Sequence, residues 1–546
     1  MIGEGTGGNP GKHPAGQSSA PAIHHQRDLA LILALACALW GVNAVWLQRD
    51  TRPPVWDMAL HQTYALNYLP GAPVLPGAGF WERSGNYPPF VHLVIALAYG
   101  IFHPGPHIAI LANIPATILL FWAVYELALM SAGPGAARWA LIMTALTPYL
   151  MWMSKETVLD YWLSAWVAVG LVLLIKTEGF QSRGASLLLG LACAFGLLTK
   201  WLFAGFIAAP AVYIFLRNQT WKSERRLINC ADAVLVTAAG AGVWYVPNVP
   251  RLLRYYSENA RIGALEGEPA VLSFQSFIYY LRLLEGYQLF APLFLLVLLS
   301  VFFVFRRRGM RDGSLWAVTI AGGWLAMTLL RTKDPRFTLP LLGPIMVVVG
   351  AWIQTWGSGW KVIAAKTAVV LLLVVQAFAI DFGIPWLPQQ VVLARGYQGS
   401  LRWDWNLYLQ HYFHILGAPK SENWKQEAIL RRAAEDARHR HLQLTLAMVP
   451  DLPRFNSTNF QLFARLHGYP FRVDHPQSAK NGVHAFDGYN YAVMTERDQG
   501  MPWSTTESGS LNRIVVDEHQ TFQLLEVYAL PNSDAARLYA IRREGG

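Results

Sequence analysis

Twelve long apolar stretches follow one another between residues 29 and 383, and they leave this chain few ways to fold in water. They run over about 29–47, 89–103, 107–130, 138–153, 157–175, 185–198, 200–216, 231–248, 287–305, 314–330, 337–356 and 362–383. Hydrophobic residues make up 53% of the 546 residues, and charged residues only 14%. About 20 apolar residues in a helix cross the core of a bilayer. The sequence therefore predicts an all-α polytopic membrane protein.

Two strongly basic loops predict how the chain is oriented. Arg217–Arg226 and Arg306–Arg311 should be cytoplasmic by the positive-inside rule. Counting spans from these loops places the N-terminus inside and residues 49–106, the first outer loop, outside. The spans counted from the N-terminus and from the basic loops agree only if one apolar stretch does not cross the membrane. The stretch at 89–103 is the best candidate, because it is short and starts at a Pro-Pro pair. We expect this stretch to be a juxtamembrane helix, which leaves about eleven spans.

Composition divides the chain into three parts. Residues 1–27 are rich in Gly, Pro, Ser and His and predict a disordered cytoplasmic tail before a retained signal anchor. Residues 28–385 form the membrane domain, and residues 386–546 are polar. The last part has a charged helical pattern and strand-like runs, which predict a soluble, extracytoplasmic α/β domain. The helix is expected near 423–441, and the strands near 442–449, 489–495, 522–530 and 537–543.

Several function classes find no support in the sequence. The net charge of +10 lies largely in short loops, where it sets topology, so nucleic acid is not an expected partner. Cys37, Cys193 and Cys230 fall in or beside apolar stretches, and no Cys or His spacing is typical of a zinc site. The triplet Asn456-Ser457-Thr458 matches a glycosylation acceptor, a pattern that is common by chance.

Asp57 follows the first apolar stretch and lies on its predicted outer side. His61 is four residues later, so on a helix the two side chains share one face, which Tyr64 continues. A carboxylate there could take a proton from an acceptor hydroxyl. The alternative is that Asp57 is a solvated loop charge or a helix cap, since it follows Pro53-Pro54.

Glu156 and Asp160 form a second acidic pair on the predicted outer side. Their spacing is one helical turn, and Trp152 and Trp162 flank them. Two carboxylates at a membrane surface can orient a sugar or share a metal ion. Alternatively, Glu156 merely lies where two helices end at the interface, whereas Asp160 lies deeper in the apolar pattern.

Cations complete the outer set. Lys200 interrupts two apolar stretches, and such a cation must face water, a phosphate or a carboxylate, or else reach the interface along its own stem. Arg331, Lys333 and Arg336 place three cations in one external loop, against the positive-inside tendency. An anionic lipid headgroup would explain that exception, and a solvated short loop is the alternative.

Taken in order, these motifs resemble one family. The matching pieces are Trp56-Asp57, Tyr87-Pro88-Pro89, Leu159-Asp160, Leu198-Thr199-Lys200 and Arg336-Phe337-Thr338-Leu339-Pro340. They cover roughly residues 28–385 and look like the GT-C glycosyltransferases, specifically the protein O-mannosyltransferase and aminoarabinose transferase group. The chain departs from that pattern at Met58, where the family often has a second acidic residue, and at Tyr87, where the aminoarabinose enzymes have Lys.

The resemblance implies an external active site, a polyprenyl-phosphate sugar donor and Asp57 as the catalytic carboxylate. We expect an inverting displacement with Asp57 as base, and Lys200, Arg331, Lys333 and Arg336 around the departing phosphate. His61, Tyr87, Glu156 and Asp160 are the other expected substrate-binding residues. The acceptor, whether protein, lipid or polysaccharide, stays open, as does a divalent metal cofactor, which nothing in the sequence firmly requires.

A different function class remains as an alternative. A transporter or flippase for a lipid-linked or anionic solute would use the same charges to line a path. It predicts ionisable residues deep within several spans and basic groups on both sides of a cavity. The charges singled out here cluster on one side, which favours an enzyme in the cell membrane.

Overall fold

The computed structural model describes residues 20–71, 79–307, 310–388, 390–398, 401–409, 411–412, 416–500 and 502–542. Residues 1–19 of the predicted tail lie outside these ranges. Residues 20–27 are helical, because the first helix begins at Ala20 and continues into the first apolar stretch.

The described part of the membrane domain is helical. Its helices are α1 (Ala20–Arg49), α2 (Trp56–Leu66), α3 (Phe90–Ile101), α4 (Pro106–Leu111), α5 (Ile114–Ala132), α6 (Pro134–Ala145), α7 (Pro148–Met153), α8 (Leu159–Lys176), α9 (Arg183–Thr199), α10 (Phe203–Arg217), α11 (Glu224–Leu265), α12 (Phe274–Leu283), α13 (Phe290–Arg307), α14 (Gly313–Thr328), α15 (Leu342–Gln354) and α16 (Trp360–Phe382). Short 3₁₀ turns cover Phe80–Glu82, Thr220–Lys222 and Pro335–Leu341, and a π-helical turn covers Leu284–Leu289.

Seven stretches of the described residues are long and apolar enough to cross a membrane. They are Arg27–Arg49, Pro106–Ala132, Leu159–Lys176, Glu224–Ala264, Phe274–Arg306, Pro335–Gln354 and Trp360–Phe382. The predicted spans at 138–153, 185–198, 200–216 and 314–330 correspond to shorter helices. The protein is therefore an integral membrane protein, while the count of about eleven spans stays a prediction. The stretch at 89–103 forms α3, which has only 12 residues.

Small residues allow the membrane helices to pack closely. A Cβ on Gly350 of α15 would lie 2.5 Å from the carbonyl oxygen of Ala136 and from the amide nitrogen of Ala140, both in α6. A Cβ on Gly190 of α9 would lie 2.5 Å from the carbonyl oxygen of Ala233 in α11. Without a hydrophobic driving force between helices in lipid, such close backbone approach supplies much of the attraction.

Charged residues lie at both ends of the helix bundle, and many of them form ion pairs. Lys176, at the end of α8, pairs with Glu126 at 2.9 Å, and Arg138 pairs with Asp28 at 3.0 Å. Arg217 pairs with Asp312, which joins the regions of the two basic loops. Asp160 begins α8 and Lys200 precedes α10, so both lie at the helix ends opposite to Lys176 and Arg217. The cations predicted inside and outside therefore lie at opposite ends of the same helices.

A buried ion pair connects the first half of the domain with its last helix. Lys155, between α7 and α8, donates to Asp381 of α16 at 2.8 Å, and the two side chains are 1% and 2% exposed. Trp46 of α1 donates through Nε1 to the carbonyl oxygen of Asp381 at 3.0 Å. Helix α16 is thus fastened to α1 and to the segment before α8.

The C-terminal domain contains a mixed five-stranded sheet, which confirms a separate region with strands and helices. Its order is β6-β5-β7-β9-β8, with β5 parallel to β6 and β7, and β9 antiparallel to β7 and β8. The strands of the domain are β1 (Gln390–Gln398), β2 (Leu401–Leu409), β3 (His411–Tyr412), β4 (Leu416–Gly417), β5 (Thr445–Met448), β6 (Arg472–Asp474), β7 (Tyr491–Thr495), β8 (Phe522–Ala529) and β9 (Ala535–Ile541). Its helices are α17 (Gln426–Arg440), α18 (Ser457–Leu466) and α19 (Pro502–Asp517), with a 3₁₀ segment at Ala479–Phe486.

Two apolar layers hold the helices on this sheet. Ile429 of α17 and Phe460 of α18 pack with Leu446 and Val493, whereas Leu511 of α19 packs with Ala447 on the other layer. The alternation of side chains along the strands explains why one strand serves both layers. The predicted helix near 423–441 and the four predicted strands are all present, while β6, α18 and α19 lie in segments without a sequence prediction.

Candidate active site

A cavity of about 250 Å³ opens at the end of the helix bundle where Asp160 and Lys200 lie. It is lined by residues from α2, from the segment before α3, from the start of α8, from the Lys200 turn, from the end of α11 and from the segment 330–337. Eight of the predicted site residues line it together: Asp57, His61, Tyr87, Asp160, Lys200, Arg331, Lys333 and Arg336. Side chains that are up to 279 positions apart in the chain therefore meet in one space.

Asp57 faces the cavity beside a doubly bound arginine. Its Oδ2 accepts a hydrogen bond from Nη2 of Arg336 at 3.1 Å. Arg336 also donates to both carboxylate oxygens of Asp334, at 2.9 Å from Nε and 2.7 Å from Nη2. The Asp57 side chain is 41% exposed. A fork of guanidinium donors held by Asp334 thus fixes one oxygen of Asp57, whose partly exposed side chain lines the cavity.

Asp334 has a second role in this arrangement. It precedes the 3₁₀ turn Pro335–Leu341, and its Oδ1 accepts a hydrogen bond from the backbone amide of Arg336 at 2.7 Å. This is the usual interaction of an aspartate at a helical N-terminus. The cap and the ion pair together hold the Arg336 side chain toward Asp57.

Asp160 and Lys200 form a second pair across the cavity. Nζ of Lys200 lies 2.8 Å from Oδ1 and 3.0 Å from Oδ2 of Asp160, whose side chain is 2% exposed. The same ammonium group lies 4.7 Å from the ring centroid of Phe337. A buried carboxylate needs a paired cation, and this pair supplies it.

The remaining two cations have different surroundings. Lys333 is 5% exposed, and its Nζ donates to the carbonyl oxygens of Thr328 at 2.5 Å and Leu330 at 2.6 Å. Its ammonium group therefore satisfies the end of α14, and burial lowers the pKa of Lys333 to about 8. Arg331 is exposed and lines the cavity. Within the described residues it has no carboxylate partner, so its charge is available to a ligand.

Glu156 does not join this cavity, which corrects the predicted pairing with Asp160 on one helix face. Val158 has extended backbone angles, and α8 begins only at Leu159, so no helical turn joins the two carboxylates. Glu156 is 6% exposed and accepts a hydrogen bond from Nε1 of Trp152 at 2.7 Å. It lines a smaller neighbouring cavity of about 40 Å³ together with Arg52 and Arg454. Burial raises the pKa of Glu156 above its usual value.

His61 ends a buried chain of hydrogen bonds. Its Nδ1 lies 2.9 Å from Nε2 of His92, and Nδ1 of His92 lies 2.8 Å from Oγ of Ser84. The Ser84 hydroxyl continues to Tyr68 at 2.7 Å. Burial, assisted by Arg336 and Lys200, lowers the pKa of His61 to about 3. His61 is therefore neutral at physiological pH and offers the cavity a ring edge without charge.

The end of α11, which lies beyond the predicted apolar stretch at 231–248, forms a wall of the cavity. Tyr255, Tyr256, Asn259, Ile262 and Glu266 line it. Helix α11 has 42 residues, about 63 Å at the usual rise, so about half of it extends beyond a bilayer core of about 30 Å. The hydroxyl of Tyr255 lies 2.6 Å from that of Tyr87. Polar and aromatic residues keep a helical spacing beyond Pro250, and this pattern could have indicated that the helix continues.

The described residues contain no group of three His, Cys, Asp or Glu side chains close enough to hold a metal ion. Three of the four carboxylates that line the cavity are instead paired with cations, with Arg336 between Asp57 and Asp334, and Lys200 against Asp160. The geometry thus makes basic side chains the local partners of these carboxylates.

The sequence is similar to known glycosyltransferases over part of its length. Residues 86–244 match the family of dolichyl-phosphate-mannose-protein mannosyltransferases. An undecaprenyl phosphate-α-4-amino-4-deoxy-L-arabinose arabinosyl transferase from Edwardsiella ictaluri is 24% identical over 308 residues, which is 51% of this chain. That match spans about half, 49%, of the relative's own length.

Comparisons of structure extend the likeness to nearly the whole chain. ArnT from Cupriavidus metallidurans bound to undecaprenyl phosphate superposes with a TM-score of 0.53 at 13% identity, covering 95% of this chain and 98% of ArnT. The arabinofuranosyltransferase AftD from Mycobacteria gives 0.50 at 14% identity, covering 94% of this chain and 40% of AftD. The predicted resemblance to the GT-C glycosyltransferase superfamily is thereby confirmed, and the chain has its fold.

Proposed function

We propose that this chain is a membrane glycosyltransferase that moves a sugar from a polyprenyl-phosphate donor to an acceptor hydroxyl at the external face. The observation that carries the proposal is the pairing of Asp57 with Arg336 in a cavity that also holds Asp160, Lys200 and Arg331. One relative is named for an undecaprenyl-phosphate sugar, and one solved neighbour binds undecaprenyl phosphate. These names support the same class of donor here.

The reaction would be a single inverting displacement. The free oxygen of Asp57 accepts the proton of the acceptor hydroxyl, whose oxygen forms a bond to the anomeric carbon. The bond from that carbon to the phosphate oxygen breaks, and its electron pair leaves with the polyprenyl phosphate. Negative charge grows on the phosphate, so cations that face it stabilise the transition state.

Arg331 and Arg336 are the cations that we assign to the departing phosphate. Arg331 has no carboxylate partner among the described residues, and Arg336 lines the cavity beside the base. Lys200 also lines the cavity, and its positive charge adds to theirs although it is paired with Asp160. We assign Lys333 to holding the loop, because its ammonium group donates to backbone carbonyls. We assign Glu156 a structural role, because it accepts a hydrogen bond from Trp152 and lines the neighbouring cavity instead of the one assigned to the sugar.

An apolar groove next to the same loop suits the prenyl tail. It has a volume of about 440 Å³ and lies between α12, α13, α14 and the turn Pro335–Leu341. Tyr280, Trp324, Thr338 and Leu341 are among its lining residues. Because the turn that carries Arg336 also lines the groove, a lipid in the groove would end at the cations.

The transfer assay tests this function directly. Purified protein is incubated with radiolabelled polyprenyl-phosphate sugars and membrane fractions, and we expect label to move from the lipid to an acceptor. The chemical nature of the labelled product identifies the acceptor as protein, lipid or polysaccharide. Folded protein that transfers no label, but carries the lipid-linked sugar across the bilayer of proteoliposomes, would instead support the flippase.

The proposed orientation places the N-terminus inside, and the cavity and residues 386–546 outside. In a variant with Cys37, Cys193 and Cys230 replaced by Ala, we expect Arg331→Cys to react with a membrane-impermeant maleimide in intact cells. Lys222→Cys should react only after permeabilisation, because the exposed Lys222 side chain lies near the opposite ends of the helices. Labelling of both positions from one side would refute this topology.

A further inference from the structure

One segment of the C-terminal domain contacts the chain immediately before Asp57. Residues 451–459, which we call the clamp segment, lie between β5 and the first turn of α18. They form hydrogen bonds with Pro53, Pro54 and Trp56, about 400 positions earlier in the sequence. Helix α18 continues this contact by packing along α2.

Trp56 is held by three of these bonds. Its backbone amide donates to the carbonyl oxygen of Pro453 at 3.1 Å, and its indole Nε1 donates to Oδ1 of Asp451 at 2.9 Å. The hydroxyl of Thr458 shares its single proton between the Trp56 carbonyl oxygen, 3.1 Å away, and a closer amide oxygen within the clamp segment. Both the backbone and the side chain of the residue before Asp57 are thereby fixed by the other domain.

Two further donors hold the Pro-Pro pair. Nη1 of Arg454 donates to the carbonyl oxygen of Pro53, and Nδ2 of Asn459 donates to that of Pro54. Arg454 is 8% exposed and Asn459 is fully buried. The Oδ1 atom of Asn459 is buried without a hydrogen-bond partner. The side-chain hydrogen bond recorded for this buried amide is therefore the one that its NH2 group donates to the Pro54 carbonyl oxygen.

The start of α2 receives little support from its own residues. The residue before the helix, Val55, offers no side-chain cap, and Pro53 and Pro54 have no amide hydrogen. Asp57 lies in the first turn of α2, so the position of its carboxylate depends on how this start is held. A displacement of about 1 Å at a reacting group can cost about 100-fold in rate.

We propose that the clamp segment is a positioning element for Asp57, with Asp451, Arg454, Thr458 and Asn459 as positioning residues. The C-terminal domain then contributes to catalysis through Asp57, although none of its described residues lines the cavity. This inference rests on the proposed function for its catalytic consequence. Its structural consequence, an ordered start of α2, can be tested without any activity.

The matched variants are Asn459→Leu and Asn512→Leu. Asn512 is 8% exposed, donates through Nδ2 to the Thr495 carbonyl oxygen at 2.8 Å, and also has a buried Oδ1 without a partner. Both replacements remove one donor to a backbone carbonyl from the same domain, but only Asn459 contacts the segment before Asp57. Equal changes in thermal stability are therefore expected, with different effects on α2.

Hydrogen exchange provides the readout that needs no substrate. In the full-length protein, Asn459→Leu should speed exchange in peptides covering residues 55–62 by about 10-fold, and leave peptides of α15 unchanged. Asn512→Leu should leave both unchanged. Unaltered exchange at residues 55–62 in Asn459→Leu would overturn the inference, whether or not the protein transfers sugar.

Kinetics then test the catalytic consequence. Asn459→Leu and Trp56→Phe should each lower kcat by about 10-fold with little change in the donor KM. In an Asp57→Asn background the same changes should have less than about twofold effect, because positioning acts through the missing base. Wild-type protein without transfer activity would refute the proposed function alone. Active wild type with additive effects of the variants would refute the clamp.

Discussion

Replacing Asp57 by Asn is expected to reduce sugar transfer about 100-fold or more, because the variant loses the group that takes the acceptor proton. An Asn oxygen can still accept the hydrogen bond that Oδ2 receives from Arg336 at 3.1 Å, so the fold and the cavity should persist. The measurement is the initial rate of label transfer by purified, detergent-solubilised protein, with its thermal unfolding midpoint as a check on folding.

Glu82→Gln is the matched control for this variant. Glu82 is an exposed carboxylate of the same outer loop and does not line the cavity, so its replacement should leave the rate close to that of wild type. Near-normal transfer by folded Asp57→Asn protein would show that another group removes the proton.

Replacing Arg336 by Gln is the second change for which we expect a large loss, about 100- to 1000-fold in kcat. The variant removes the positive charge that lies between Asp57 and Asp334 and that we assign to the departing phosphate. Arg336→Lys should restore only part of the rate, because an ammonium group cannot bind two carboxylates as a planar fork does.

A double variant separates two causes of that loss. Without Arg336, the carboxylates of Asp57 and Asp334 would repel each other, which alone could displace the base. Arg336→Gln/Asp334→Asn removes this repulsion and keeps an oxygen that can cap the 3₁₀ turn. If the rate falls because the Arg336 cation no longer stabilises the leaving phosphate, the double variant stays slow. Recovery to near wild-type rate would assign Arg336 a purely orienting role.

The membrane helices and the clustering of charged residues at one end of the bundle were the most predictable features. Apolar runs follow directly from the bilayer, and basic loops mark one side of it. Once Asp57, Asp160, Lys200 and Arg331 were assigned to one side, their meeting in one cavity followed from the closeness of helix ends in a bundle. The exact partner of each charge did not follow, since Arg336 reaches Asp57 across 279 positions.

The differences from the sequence prediction concern the surroundings of individual charged side chains. The spacing of Glu156 and Asp160 predicts a shared face, but the extended backbone at Val158 turns Glu156 toward Arg454. Lys333 appeared equivalent to Arg331, although its ammonium group satisfies the carbonyls at the end of α14. The partner of each charged side chain depends on its burial and on nearby backbone groups that lack a hydrogen bond, and a single sequence shows neither.

Contacts between domains were equally out of reach. Trp56 and Asp451 lie 395 positions apart, and neither residue has a pattern that points to the other. The Asn456-Ser457-Thr458 triplet illustrates the difference between a motif and its context. Asn456 is 2% exposed and its side chain caps α18 by accepting from the Asn459 amide at 3.1 Å, so this triplet is part of the packed domain.

The buried pair of Lys155 and Asp381 has a consequence for how the protein is made. The two residues are 226 positions apart, and a ribosome adds about 5 to 20 residues each second, so Lys155 emerges roughly 10 to 45 s before its partner. During that interval an ammonium group destined for the interior must remain in water or among lipid headgroups. The segment between α7 and α8 can therefore reach its final position only after the last membrane helix has been synthesised, so this end of the bundle is expected to assemble late in biosynthesis.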